Sequence, residues 1–205
     1  MSKGLLITFE GTEGAGKSTL IKALEIQLTR SLGKNRVVAT REPGGSKVSE
    51  QIRKTILDHA MNPWTELFLY EAARAEHLTT LVEPALKNGK IVLCDRFTDS
   101  TLAYQAHARG LPWKEVEELN RIATQGRTPD LTIFLDIDPA LGLKLAQVQT
   151  RFEKEGVQFQ TQVRLGFLKA RRKNPKRWLT LKAMSESPED LAARVMLRLK
   201  VPRRG

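Results

Sequence analysis

The feature that most constrains this chain is the stretch FEGTEGAGKST, Phe9 to Thr19, which follows a short apolar run at Leu5, Leu6 and Ile7 and leads into a helical pattern. Gly11-Thr12-Glu13-Gly14-Ala15-Gly16-Lys17-Ser18 fits GxxxxGK[ST] between a predicted strand and a predicted helix, and Thr19 adjoins it. Glycines let successive backbone N–H groups turn inward around phosphates at the positive end of a helix. Lys17 then reaches the outer phosphates, and the Ser18 hydroxyl is a ligand for Mg²⁺. The loop predicts a bound nucleoside triphosphate. It does not say where the phosphoryl group goes, because such loops serve motors, switches, transporters and kinases alike.

The rest of the chain is organised around the same unit. Apolar runs at Leu5–Phe9, Val37–Thr40, Ile91–Cys94 and Leu131–Leu135 predict buried strands, with Trp178–Leu181 a weaker fifth. Helical periodicity lies between them; after the glycine loop Ile21, Leu24, Ile26, Leu28 and Leu32 keep an apolar side, and Gly33 stops it. Alternation of this kind predicts an α/β fold, a parallel sheet covered by helices on both faces, with ligands at the carboxyl ends of the strands. No repeat or linker divides residues 1–205, so one domain is expected. No apolar segment approaches the ~20 residues of a membrane span, and a cytoplasmic protein is expected. Cys94, the one cysteine, lies in an apolar run and is expected to be buried. Lys and Arg number 34 against 23 Asp and Glu, a formal charge of +11, which favours anionic partners. The basic run at 171–177 and the basic tail lack interleaved aromatics and are expected to be solvated faces rather than a nucleic-acid site.

Three further segments carry chemistry. Thr40-Arg41-Glu42-Pro43-Gly44-Gly45 ends the second strand with a turn suited to a ligand crevice. Asp95-Arg96-Phe97-Thr98-Asp99-Ser100-Thr101 follows a fully apolar strand; a carboxylate there orients magnesium or its waters, and the arginine bridges donor and acceptor phosphates. Phe68-Leu69-Tyr70-Glu71-Ala72-Ala73-Arg74-Ala75-Glu76-His77 is helical, and Phe68 and Arg74, six residues apart, are expected to project to one side as an aromatic face and a planar donor. His77 is expected to be a hydrogen-bonded helix histidine.

In this order, FEGTEGAGKST, TREPGG, EQIRKTIL around Arg53, FLYEAARAEHL, VLCDRFTDSTLAYQAHARG and TPDLTIFLD resemble the bacterial thymidylate kinase family from the first strand to about Leu135. The resemblance implies a P-loop nucleoside monophosphate kinase, a homodimer in most members, moving the γ-phosphate of ATP to dTMP with Mg²⁺. It implies that Gly11 to Ser18, with Thr19, bind ATP, that Glu10 lies near the acceptor phosphate and magnesium, and that Arg53 and Arg96 hold the acceptor phosphate. Phe68 then stacks on thymine, Arg74 bonds its carbonyl, Thr101 and Gln105 complete base recognition, and Tyr104 lies beside the sugar; Ser100 is counted with them. Catalysis falls to Lys17, Arg96, Glu10, Asp95 and Arg151, and the metal to Ser18 and Asp95.

The chemistry is consistent with this set. A phosphate monoester has a second pKa near ~6 and is already largely dianionic at pH 7, so cations and alignment are needed rather than a strong base. The pattern departs from the family in its lid, near 145–156. Thr150 stands where the family carries aspartate, the segment is short, and Arg151 is its one arginine before Arg164. Arg151 is expected to reach the ATP phosphates, or else to pair with Glu153 or Glu155. Another P-loop nucleoside or nucleotide kinase, or a basic nucleic-acid-binding P-loop ATPase, remains an alternative on the sequence.

Overall fold

The computed structural model describes residues 4–146 and 151–200, with the side chain of Glu153 excepted. In chain order the elements are β1 (Leu5–Glu10), α1 (Lys17–Leu32), β2 (Val37–Arg41), α2 (Lys47–Asp58), α3 (Pro63–His77), α4 (Glu83–Lys87), β3 (Ile91–Asp95), α5 (Thr98–Thr101), α6 (Trp113–Ala123), β4 (Leu131–Asp136), α7 (Pro139–Leu145), α8 (Arg151–Lys154), α9 (Gly156–Lys173), β5 (Trp178–Lys182) and α10 (Pro188–Leu199). Each strand anticipated from an apolar run is present, the fifth included.

The strands form one parallel sheet in the order β2-β3-β1-β4-β5. The period of two in each strand explains how helices cover both faces. Ile7, Phe9, Leu93, Ile133 and Leu135 point to one face and pack against Leu24 and Leu28 of α1 and Leu191 and Val195 of α10. Leu6, Val92 and Cys94 point to the other, under Leu78, Val82 and Leu86, and Phe134 meets Phe167 of α9 on that side. Side chains as fully buried as Leu24 and Leu28 each contribute about 1.5–3 kcal/mol by leaving water. Thr8 and Thr132 interrupt the apolar pattern, and being buried they bond each other at 2.9 Å.

Register places the site. Phe9 pairs with Asp95, Arg41 with Asp95 and Glu10 with Phe134, so Glu10, Arg41 and Asp95 emerge together at the carboxyl edge. Two helices continue past regular hydrogen bonding into π-helical turns, Leu78–Val82 after α3 and Leu102–Ala108 after α5. Such widened turns are frequent at functional sites, and the second carries Tyr104 and Gln105. Among the described residues no helix is long and apolar enough to cross a membrane.

Candidate active site

The start of α1 differs from those of α2, α3 and α10. Ser46, Asn62 and Ser187 cap α2, α3 and α10 with side-chain oxygens, whereas Gly16 precedes α1 with no side-chain cap. Its N-terminal N–H groups therefore face the cleft with no internal acceptor from the cap, at the positive end of the helix dipole. Gly14 and Gly16 adopt φ of 70° and 86°, and a Cβ on Gly14 would run into the Gly142 carbonyl of α7, so the loop requires glycine there on two counts. Lys17 is buried and bonds the carbonyls of Gly11 at 3.3 Å and Thr12 at 3.1 Å. Burial first, then Arg96, pulls its pKa below the usual range.

Ser18 donates to Asp95 Oδ2 at 3.2 Å, and Asp95 Oδ1 is buried without a partner among the described residues. A hydroxyl beside an orphaned carboxylate oxygen is a fitting hard-oxygen donor set for Mg²⁺. Glu42, His77 and Cys94 also lie close enough to share an ion, but their donors and acceptors are already engaged. Glu42 accepts from Arg74, His77 bonds Thr40 at 2.8 Å and Glu42 at 3.1 Å, and the Cys94 thiol donates to the Arg96 carbonyl at 3.1 Å. His77 is the hydrogen-bonded helix residue expected of it.

Arg96 has φ of 69°, a strained conformation for a non-glycine residue. Its backbone is pinned by its N–H to Phe9 and its carbonyl to Cys94. Its guanidinium bonds Gly11 at 3.1 Å, Ser100 at 3.3 Å and Glu13 at 2.5 Å, and lies 4.9 Å from the Tyr104 ring centroid. Burial opposes the charge, yet Glu13 and Tyr104 hold Arg96 well above its ordinary pKa. Burial likewise works to raise Glu13, but Arg96 and Lys17 keep it below the usual carboxylate range. Glu13 thus uses its side chain to orient Arg96 and Tyr104, whose hydroxyl donates to it at 2.9 Å. Glu10 is buried, accepts from the Phe97 N–H at 2.9 Å and Ser100 Oγ at 2.5 Å, and is raised from 4.5 to about 8 by burial and then by Asp99. Arg53 bonds the Pro43 carbonyl at 3.0 Å and lines the same cleft.

That cleft, about 450 Å³, runs from the glycine loop past Arg96 and Arg53 to Arg74, Thr101, Tyr104 and Gln105. Arg74 is buried and spends four of its five N–H donors on Glu42, Glu71, Asn120 and Thr101, leaving one N–H for the cleft. Phe68 requires correction. It is 55% exposed, lies 6.0 Å from Trp64 and does not line the cleft. At 3.6 residues per turn, six residues rotate the side chain about 120° away from Arg74, whereas four bring it back. Tyr70, four before Arg74, is the aromatic that lines the cleft. The i, i+4 spacing was the available signal for it.

Arg151 also departs from expectation. It reaches neither the glycine loop nor Glu155, but donates to the Ile56 carbonyl at 2.6 Å and to Glu66 at 2.5 Å, with Phe152 under its guanidinium at 4.4 Å. Glu66 is buried and satisfies the guanidinium, which explains the inward pose. Glu155 pairs instead with Arg109 at 2.6 Å, and Arg164 with Asp136 at 2.6 and 2.9 Å. Thr150 and the rest of 147–150 lie outside the described residues. Glu66 and Arg109 were not singled out from the sequence, since isolated charges on helices carry no local signature.

A parallel sheet carrying a glycine loop with a bare helix start, and an arginine-lined cleft beyond it, is the architecture of a P-loop nucleoside monophosphate kinase. The chain belongs to the thymidylate kinase family, whose family model matches residues 9–195. The thymidylate kinase of Bacillus licheniformis is 46% identical over 200 residues, covering 94% of this chain and 93% of the relative. That of Lactobacillus delbrueckii subsp. bulgaricus is 44% identical over 203 residues and 95% of each chain. The crystal structure of thymidylate kinase from Ehrlichia chaffeensis superposes with a TM-score of 0.82 at 32% identity, covering 96% of this chain and 99% of that one.

Proposed function

We propose that the protein transfers the γ-phosphoryl group of ATP to dTMP, giving dTDP and ADP for dTTP synthesis. The bond from the γ-phosphorus to the bridging oxygen breaks, its electrons leave with ADP, and a dTMP phosphate oxygen forms the new bond. The observation that carries this reading is one continuous cleft with Lys17 and the α1 start at one end, Arg96 and Arg53 in the middle, and Arg74, Tyr70 and Gln105 at the other.

Gly11 to Thr19 bind the ATP phosphates, with Lys17 as the cation on the transferring group. Arg96 and Arg53 offset repulsion between the two polyanions, and Ser100, through its bonds to Arg96 and Glu10, keeps both in place. Ser18 and Asp95 hold Mg²⁺, which when bound neutralises charge on the donor phosphates. Thr101 and Tyr104 line the nucleoside end, Thr101 fixing the Arg74 guanidinium on which the base carbonyl docks. The lid is the segment near 145–156 of a single domain, and the protein acts in the cytoplasm as a homodimer; Trp64 and Phe68 on α3 and Ile122 on α6 are exposed apolar side chains suited to a second copy. Neither nucleic acid nor membrane takes part.

A coupled assay of ADP formation with dTMP, dUMP, dCMP and AMP tests the reading. Turnover is expected with dTMP well ahead of dCMP and AMP. Preference for another monophosphate would support the rival kinase reading, and ATP hydrolysis stimulated by DNA but not by dTMP would support a nucleic-acid-dependent ATPase.

A further inference from the structure

Glu66 on α3 is 1% exposed, and its carboxylate is approached from three sides. Arg151 donates to Oε2 at 2.5 Å, Gln105 donates from Nε2 to Oε1 at 2.7 Å, and Arg109 Nε lies 3.6 Å from Oε1. Arg109 is anchored to Glu155 at 2.6 Å and Arg151 to the Ile56 carbonyl at 2.6 Å, so the two arginines that clamp this buried carboxylate are themselves held by the lid segment and by α2.

The consequence falls on Gln105. A carboxylate held between two guanidiniums offers only acceptors, which leaves the neighbouring amide one orientation, NH₂ toward Glu66. The amide oxygen is then the group available to a ligand in the cleft that Gln105 lines. An oxygen in that role accepts from a pyrimidine bearing N–H at ring position 3, as thymine and uracil do. Cytosine presents a lone pair at that position, and two acceptors face each other.

We propose that Glu66, clamped by Arg151 and Arg109, is the positioning residue that sets base selectivity by fixing the polarity of the Gln105 amide. This rests on the reading of the acceptor as a pyrimidine nucleoside monophosphate. Arg151 accordingly acts at the nucleoside end of the cleft, through Glu66, and not on the donor phosphates. The device discriminates by an unpaired polar group, which a built site can exploit by orders of magnitude, whereas the thymine methyl alone is worth about 10–200-fold. It separates dTMP from dCMP and leaves dUMP to other contacts.

The test is steady-state kinetics of Glu66→Gln and Arg151→Ala against wild type, with dTMP and dCMP as acceptors and circular dichroism to verify folding. In Glu66→Gln the amide at 105 can turn over, so the ratio of kcat/KM for dTMP to that for dCMP is expected to fall about tenfold or more, chiefly through the KM for dTMP, with the KM for ATP held. Arg151→Ala is expected to lower the same ratio by a smaller factor, because Arg109 still faces Glu66. A folded Glu66→Gln enzyme with the wild-type ratio overturns the proposal. Should Glu66→Gln not fold, Arg151→Ala decides: an unchanged ratio, or a loss confined to kcat with both acceptors, overturns it. Absence of dTMP-dependent ADP formation by wild type would instead refute the underlying function, a result distinguishable from either.

Discussion

Tyr70 and Phe68 stand two residues apart on one helix and meet opposite surroundings, the cleft and the solvent. Tyr70 is therefore the aromatic placed to stack on a base in the cleft. Tyr70→Ala is expected to raise the KM for dTMP about tenfold or more, in line with the ~1–3 kcal/mol typical of base–aromatic stacking, while Phe68→Ala leaves it within about threefold. Equal effects of the two variants on dTMP would contradict the assignment. Glu10 makes a second residue-level prediction. Folding raises its pKa from 4.5 to about 8, mainly through burial, so the folded state keeps a proton that the unfolded chain releases. Its stabilising contribution is full below about pH 4.5 and is lost as the pH rises through about 8. Glu10→Gln, which cannot ionise, should gain Tm relative to wild type as the pH rises from about 4.5 to about 8, as followed by thermal denaturation. A difference independent of pH would refute that protonation.

At the scale of elements, the contact between the glycine loop and α7 links the donor site to the lid. A Cβ on Gly142 would lie 2.5 Å from the Glu13 carbonyl. Gly142→Ala must push loop and helix apart, at a cost of about 1–3 kcal/mol for overpacking, and is expected to lower Tm and weaken ATP binding more than dTMP binding. Calorimetric titration with unchanged ATP affinity would show that the contact is incidental. β1, β3 and β4 were legible because each is a nearly unbroken apolar run, and the glycine loop because its conformation admits few residues. The π-helical turn at Leu102–Ala108 was not, since widening a helix by one residue leaves no compositional mark. The same blindness to angle misassigned Phe68: proximity in sequence to Arg74 suggested a shared face, and only the rotation per residue excludes it. The pose of Arg151 escaped the sequence for a different reason. Its partner, Glu66, is 85 residues away, and long-range pairing of single charges is not encoded in any local pattern.

For the whole molecule, a chain of formal charge +11 concentrates anions near a cleft already lined with Lys17, Arg53 and Arg96, which favours capture of two nucleotides without requiring nucleic acid. Exposed Trp64, Phe68 and Ile122 lead to one prediction at this scale. Sedimentation is expected to show a dimer for wild type and a shift toward monomer for Phe68→Glu, because a charge buried in such an interface is costly when unpaired. A monomeric wild type would remove the dimer from the account. The central claim is transfer to dTMP, and ³¹P NMR of the protein with ATP, Mg²⁺ and dTMP tests it most directly. The dTDP phosphorus resonances are expected to grow in step with those of ADP. Accumulation of ADP with inorganic phosphate, and dTMP unchanged, would contradict it.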